Sequence, residues 1–393
     1  MQGLSKRPAA SLAVGWLTMF VIGTDLFVIS PLLPMIATEY RISPAVAGLA
    51  VTFFSLTYMI GAPFFGHLAD RVGRRRVLIA GLAVFAAGNL ATAAATNLPF
   101  LLAARIAAGA AAAAVSPSVY ALVAGAALPE RRASWMALVV SGLLVSLAVG
   151  APIGAWVGAA FGWNAVFAAL AALSFLLMLP NGRVWPVDPH LAEPAAVPLS
   201  ALDAKALTAR LLPMVLWSTG LYGMYTYLGT GLAAAGYSVE EIARVILIYG
   251  LGAIAGVLIG GRLADRLGAR LMAAAGLLGL SACFIGLYLA VHAGMLVGLA
   301  LGLTSAVAQL FFPAQQAGIA HDFPTRRASM MAWNNSALFF GIGLGSMLGG
   351  QAVAIAGFEA DLIFASAVAL IGLIVVGRVM PGPTAAGAAG RPV

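Results

Sequence analysis

Two charged residues, Asp25 and Arg105, lie deep inside long apolar stretches of the sequence. A charge at the centre of a membrane-spanning helix costs about 2.5 to 3.5 kcal/mol on insertion scales, which makes such residues candidates for a function. Burial favours the neutral form of a carboxyl group and a neighbouring arginine favours its ionised form, so an acid whose surroundings alternate can bind and release a proton. Arg105 stays charged and needs acceptors. Their predicted depths differ by several ångströms, which leaves open a direct or a water-mediated contact.

Each of these charges also has a plain structural interpretation. Asp25 would then only pair with a base or cap a polar pocket, and Arg105 would only bond backbone carbonyl groups. For Asp25 we favour a functional role, in binding a proton or the substrate.

The elements that position these charges follow from the composition. Of 393 residues, 62% are hydrophobic and 9% are charged, against about 25% charged residues in an ordinary soluble domain. Twelve spans of about 20 residues account for this apolar content, whereas a β-barrel would alternate apolar and polar residues along short strands. We therefore expect an all-α polytopic membrane protein with 12 transmembrane helices.

Twelve apolar stretches are visible, and one connection between them is long. The first six stretches form an N-terminal bundle in residues 1–181 and the last six a C-terminal bundle in residues 211–380. Residues 182–210 contain several prolines and both signs of charge, and are predicted to be a cytoplasmic central linker. The tail, 381–393, is rich in Gly, Ala and Pro and is expected to be disordered. The predicted spans are 11–37, 45–68, 77–96, 98–127, 135–159, 163–181, 211–236, 240–263, 271–291, 293–320, 330–355 and 360–379.

The net charge of +8 reports topology rather than nucleic-acid binding. The basic residues sit in short loops instead of on one soluble module, and all but Arg41, Arg105 and Arg244 fall on one side of the predicted spans. Because Lys and Arg accumulate in cytoplasmic loops, both termini are predicted to be cytoplasmic in a multi-pass protein of the cell (inner) membrane.

The two halves of the sequence repeat at a constant offset of 195 residues. Gly66 to Gly73 (GHLADRVG) correspond to Gly261 to Gly268 (GRLADRLG), and Gly150 and Gly154 correspond to Gly345 and Gly349. Six spans per half give a parallel repeat about an axis along the membrane normal. We expect two similar six-helix bundles, related by a pseudo-twofold axis, with a cavity between them.

The run from Gly66 to Arg76 (GHLADRVGRRR) resembles the loop signature between spans 2 and 3 of the major facilitator superfamily. Arg105 with Gly109 resembles its span-4 arginine motif, and Gly150 to Gly154 (GAPIG) resembles the span-5 motif of its antiporters. Asp25 with Pro31 and Pro34 resembles the span-1 motif of the twelve-span drug:proton antiporter branch, which includes multidrug, sugar and nucleoside efflux proteins.

This resemblance implies a role for each group of residues. It implies proton coupling by Asp25 and Arg105, and tight, kinked packing of span 5 by Gly142, Gly150, Pro152 and Gly154. It implies that the inner loops gate the two halves by charge pairs that break and reform, through Gly66, Asp70, Arg71, Gly73, Arg74, Arg75, Asp265, Arg266 and Gly268. A purely topological role of these bases is the alternative, although Asp70 adds nothing to the positive-inside rule.

Polar and aromatic residues within the spans are the candidate lining of the substrate cavity. An aromatic, amide-bearing cavity with few acids suits a neutral or singly charged organic molecule. The candidates are Tyr58, Tyr120, Tyr222, Tyr225, Gln309, Phe312, Gln315, Asn334 and Asn335.

We expect a proton-coupled exporter of drugs or metabolites that works by alternating access. A proton symporter or a uniporter for sugars or metabolites is the alternative, and an integral membrane enzyme is a distant one, because the four histidines are scattered and no paired intramembrane acids were identified. No metal and no cofactor is expected besides the coupling proton. The expected partners are a small-molecule substrate and the lipid bilayer, without nucleic acid, and the expected state is a monomer.

Overall fold

The computed structural model describes residues 8–186, 204–294, 296–323 and 327–380, and within these ranges the regular structure is helical. The helices are α1 (Pro8–Phe27), α2 (Ile29–Tyr40), α3 (Pro44–Val72), α4 (Arg74–Ala93), α5 (Leu98–Ala126), α6 (Arg132–Val145), α7 (Ala151–Phe161), α8 (Trp163–Val184), α9 (Ala204–Ala234), α10 (Val239–Leu267), α11 (Ala269–Ala290), α12 (Leu296–Ala308), α13 (Phe311–Asp322) and α14 (Arg327–Val379). A 3-10 turn (Pro129–Arg131) precedes α6, and a π-helical turn (Ser146–Gly150) joins α6 to α7.

Ten helical stretches in the described ranges are long and apolar enough to cross a membrane. The last of them contains non-helical backbone at Ala356 and Gly357, so α14 is two crossings, which we call α14a (327–355) and α14b (358–379). The 31-residue helix α9 has the length of a crossing, but it contains many Tyr, Thr, Ser and Gly residues. With α9 included, the described residues make the twelve predicted crossings.

The two halves of the fold repeat the same local structures at the same offset of 195 residues. Gly73 and Gly268 have φ of 102° and 92°, and Gly162 and Gly357 have φ of 87° and 81°. Such positive φ values favour glycine, which explains why these positions recur. The N-cap serines Ser43 and Ser238, the latter in a capping box, also correspond. The predicted fold of two related six-helix bundles is confirmed.

Hydrogen bonds to the end of the sixth crossing repeat in the same way. Arg75 donates to the carbonyl oxygen of Gly182, and Arg270 donates to that of Gly377 at 2.8 Å. Each arginine follows the glycine that ends the second crossing of its half, so it ties the third crossing to the sixth.

Each crossing has one end on the arginine-rich side and one end on a side with few arginines, which we call the opposite side. The two halves meet near the opposite side. Ser346 Oγ donates to the Gly48 carbonyl oxygen at 2.7 Å, and Tyr225 OH donates to that of Phe27 at 3.0 Å. Asn335 donates to the hydroxyl of Tyr58 on α3 at 3.4 Å. The other hydrogen bonds between the halves that join two described residues lie closer to the opposite side than this one. The structure is therefore closed on the opposite side.

The predicted linker is too long at both ends. Helix α8 continues to Val184 and α9 begins at Ala204, so the linker residues nearest the bundles are helical. Residues 187–203 and the predicted disordered tail, 381–393, lie outside the described residues.

Candidate functional site

Asp25 and Arg105 touch directly. Arg105 Nη1 donates to Asp25 Oδ1 at 2.8 Å and Nη2 donates to Oδ2 at 3.0 Å, a bidentate pair between α1 and α5. The side chains are 0% and 1% exposed, respectively. The question that helix register left open is resolved in favour of direct contact.

Aromatic rings enclose the guanidinium group of this pair. Its central carbon lies 4.6 Å from the centroid of the Phe54 ring and 5.4 Å from that of Phe167, distances that allow cation–π attraction. Arg105 Nε is buried and has no hydrogen-bond partner among the described residues. Because the guanidinium keeps its charge, separating the pair requires new acceptors for Arg105.

A narrow cavity between the two halves lies next to this pair along α1. Leu26 and Phe27, which directly follow Asp25, line it from the first half. Asp25 itself points into the first bundle, so a rotation or shift of α1 could connect the buried carboxylate to the cavity. The other lining residues are Ser30, Val51, Tyr222, Tyr225, Thr226 and Ile342.

The predicted cavity residues fall into several groups in the structure. Tyr222 and Tyr225 line the cavity between the halves. Tyr58 is buried outside this cavity. Its ring stacks on Phe339 with centroids 3.6 Å apart, and Asn335 donates a hydrogen bond to its hydroxyl. Phe312 lies against Trp217, with centroids 5.9 Å apart. Gln309 is buried and Tyr120 is half-buried.

Gln315 and Asn334 are not available to a cargo in this conformation. Gln315 Nε2 donates to the Arg210 carbonyl oxygen and to Asn334 Oδ1, and Gln315 Oε1 accepts from Arg210 Nη1 at 3.3 Å. Both side chains are buried and make their hydrogen bonds within the second bundle, and neither lines the narrow cavity in this conformation.

The span-5 glycines let the first crossing approach the fifth closely. A Cβ atom on Gly142 would lie 2.5 Å from the Trp16 carbonyl oxygen, and Cβ atoms on Gly150 and Gly154 would collide with Thr24 and Val28. Pro152 is the second residue after the π-helical turn, so the helix changes its winding where the sequence predicts a kink. The expected tight packing is present, within the first half.

The charged residues of the two loop motifs lie on the arginine-rich side. Arg74 Nη2 lies 3.2 Å from Asp70 Oδ1, a pair one helical turn apart. Arg71, Asp265 and Arg266 are exposed. Gly73 and Gly268 end α3 and α10 with positive φ, whereas Gly66 has open space around it.

Comparison with known proteins decides the family. A model of the Major Facilitator Superfamily matches residues 15–238 and 221–392. The MFS-type transporter YceJ of Bacillus subtilis (strain 168) is 32% identical over 338 residues, which is 84% of this chain and 86% of the relative. The chain belongs to the major facilitator superfamily.

Two further similarities agree with this membership. A chloramphenicol resistance protein of Streptomyces lividans is 29% identical over 262 residues, 65% of this chain and 67% of that protein. The crystal structure of a bacterial homologue of the human lysosomal transporter Spinster, in an inward-facing and occupied conformation, has a TM-score of 0.75. It is 16% identical, covers 95% of this chain and 98% of that one, and shows the shared fold. This superfamily member is thus a membrane transporter.

Two buried charges of this transporter lie at positions that the sequence does not single out. Arg210, placed in the linker, is 4% exposed on α9, and its Nε lies 2.8 Å from Asp322 Oδ2. Asp361, the second residue of the predicted twelfth span, is 0% exposed on α14b. Charged residues near helix ends are ordinary. The sequence alone therefore does not distinguish either residue from the usual charges at a helix end.

The close packing of the transporter's span 5 on span 1 gives a stability prediction. Val28 is β-branched, stiff and fully buried, so Gly154→Ala should lower the free energy of unfolding by about 1 to 3 kcal/mol. Adding Val28→Ala should recover most of that loss, because it removes the methyl groups that the new Cβ meets. Unfolding in detergent, followed for both single variants and the double variant, measures the coupling. Additive losses in the double variant would contradict this contact.

Proposed function

We propose that this transporter exports small organic molecules from the cytoplasm in exchange for protons. The observation that carries the proposal is the fully buried, bidentate pair of Asp25 and Arg105 beside the cavity between the halves. A buried ion pair is weak evidence for stability, and an ionisable residue inside a membrane span is a functional site by default. A proton is the coupling ion that one carboxylate can bind alone.

The distribution of arginines gives the proposed orientation in the membrane, and this orientation gives the proposed transport cycle. With the arginine-rich side in the cytoplasm, the closed side would face the exterior, and this conformation would be the one that takes up cargo from the cytoplasm. Asp25 then gains a proton only when α1 moves and Arg105 finds other acceptors. The exposed charges of the inner loops, Asp70, Arg71, Asp265 and Arg266, would pair across the halves in the other state of the cycle. Such exposed pairs contribute about 0.2 to 1 kcal/mol each, small enough to break in every cycle.

The cavity chemistry and one relative support a neutral, aromatic cargo. Phe27, Tyr222 and Tyr225 give the cavity aromatic walls, with hydroxyl groups from Ser30 and Thr226. Chloramphenicol is a neutral aromatic molecule, and the resistance protein of Streptomyces lividans carries its name. One proton moving down a potential of about 100 mV releases about 2.3 kcal/mol, and each pH unit adds about 1.4 kcal/mol. Together these suffice for a cargo gradient of about a hundredfold.

Substrate-evoked proton movement tests the exchange. The purified full chain is reconstituted, or inside-out vesicles are used, with an acidic interior and an interior pH dye. Addition of chloramphenicol should release protons from wild-type vesicles and none from vesicles with Asp25→Asn. Asparagine keeps an oxygen acceptor for Arg105 but binds no proton, so the variant separates coupling from packing.

Two outcomes would contradict the proposal. Labelled chloramphenicol that equilibrates equally in both proteins without proton movement would indicate a uniporter. Proton uptake and cargo movement in the same direction would indicate a symporter. Sugars and nucleosides, tested in the same vesicles, extend the comparison to the other cargo classes.

A further inference from the structure

Asp361 is a buried carboxyl group without a partner. It is 0% exposed, and neither Oδ1 nor Oδ2 has a hydrogen-bond partner among the described residues. It lies one turn into α14b, after the break at Gly357. An ionised carboxylate without donors is very costly to bury, so these surroundings favour the protonated form of Asp361.

The duplication shows that the fold itself does not need an acid here. The equivalent position in the first half is Val166, which is also buried. Gly154 faces Val166 in the first half, and Gly349 faces the Asp361 carboxyl in the second, where a Cβ would lie 2.5 Å from Oδ1. An apolar residue fills the same place in the same architecture, so the acid at residue 361 calls for another explanation.

The surroundings of Asp361 connect it to the seam between the halves. Tyr227 of α9 packs on the same stretch of α14a as Asp361, because its hydroxyl faces Gly350 while the Asp361 carboxyl group faces the adjacent Gly349. The Tyr227 hydroxyl donates to the Ser346 carbonyl oxygen at 2.6 Å, and Ser346 Oγ donates to the Gly48 carbonyl oxygen of the other half at 2.7 Å. Parting of the halves along this seam would therefore expose the region around Asp361 to water.

Few other titratable groups surround Asp361. On its own helix, Glu359 is partly exposed, and its Oε1 lies 3.3 Å from His292 Nε2. Helix α3 has no charged residue in its half near Gly48, and the same half of α11 contributes Cys283, which is half-buried, and Tyr288, which is exposed. No described cation neutralises the carboxylate, and a bound metal ion would need several oxygen ligands, whereas a proton needs one.

We propose that Asp361 is a second proton-binding site of this transporter, which binds a proton when the opposite side closes and releases it when the halves part along the Gly48–Ser346 seam. Protonation of Asp361 then stabilises the closed opposite side, and ionisation favours its opening. The inference extends the proposed function, but it depends neither on proton binding by Asp25 nor on the identity of the cargo.

Distances across the opposite side test this site without any cargo. Spin labels are placed on α2 and α9 through Thr38→Cys and Ala234→Cys in the full chain, with the native Cys283 replaced by Ser. Distances are measured by pulsed electron resonance from about pH 5 to about pH 9, a range that spans the titration of a buried acid. Wild type should shift from the short to the long distance as the pH rises, by at most about tenfold in population ratio per pH unit for a single proton.

Asp361→Asn should keep the short distance over the same pH range, because its side chain stays neutral. Asp361→Val, which copies the first half of the repeat, should do the same and serves if the Asn variant does not fold. Glu359→Gln is the matched control, two residues away in the same helix, and should behave like wild type.

Three results would overturn the proposal. They are a pH response of the distances in Asp361→Asn that equals that of wild type, no pH response in wild type, and a response to sodium concentration in place of pH. The vesicle experiment with Asp25→Asn is independent of these distances, so failure of the exchange mechanism and failure of this second site are distinguishable.

Discussion

Asp25→Leu should destabilise the transporter more than Arg105→Met does, although each removes one partner of the same ion pair. Removing one partner of a buried pair costs about 3 to 5 kcal/mol, because an uncompensated charge remains. Arg105 cannot lose its charge, and in Asp25→Leu it would stay between Phe54 and Phe167 without a carboxylate. Asp25 left alone in Arg105→Met can take up a proton and so avoids part of that cost. Thermal and denaturant unfolding of the purified variants in detergent measure the difference.

The double variant Asp25→Leu with Arg105→Met separates stability from coupling. Replacing both members of a buried pair by apolar residues of similar volume is often neutral or stabilising, so the double variant should regain most of the stability that Asp25→Leu loses. It should not regain cargo-dependent proton release, because no carboxylate remains in α1. Equal losses in both single variants would contradict the asymmetry, and a double variant as unstable as Asp25→Leu would show that packing, not the uncompensated charge, causes the loss.

The sequence predicted the crossings and the duplication because both rest on local signals. Apolar length identifies the spans, and glycines with positive φ, such as Gly73 and Gly268, mark the same turns in each half. The repeat even extends to the hydrogen bonds that Arg75 and Arg270 make to the sixth crossing of their halves.

The electrostatic partners depended on packing that no local signal fixes. Helix register could not decide the contact of Asp25 with Arg105, because a rotation of one helix by a fraction of a turn changes which residues face each other. Arg210 was placed in the linker because a basic residue before an apolar stretch is typical of a loop, and its burial depends on Asp322 at the end of α13. Asp361 has no local signal for a similar reason, since its carboxyl group faces Gly349 on another crossing.

Gly250→Val should prevent closure of the opposite side and nearly abolish transport. Gly250 of α10 lies against the π-helical turn of the first half, where a Cβ would come 2.5 Å from the Ala148 backbone nitrogen and would collide with its Cα. Backbone cannot rotate away as a flexible side chain can, so overpacking here costs about 1 to 3 kcal/mol or more in the closed state. The open state, in which the halves part, avoids this cost, and the closed population should fall by about tenfold to a hundredfold.

The spin labels on α2 and α9 report this change directly, as a shift to the long distance at every pH. Gly286→Val is the matched control, because Gly286 lies inside α11 with no atom within 4 Å of an added Cβ, and it should keep the distances and transport of wild type. In the closed state, Gly250→Val introduces a steric overlap, whereas Asp361 is a buried carboxyl group without a partner. The two effects should therefore differ in their response to acid. Low pH should restore closure in wild type but not in Gly250→Val, since a proton relieves charge and cannot relieve overlap with backbone. Restored closure of Gly250→Val at low pH would contradict the steric explanation.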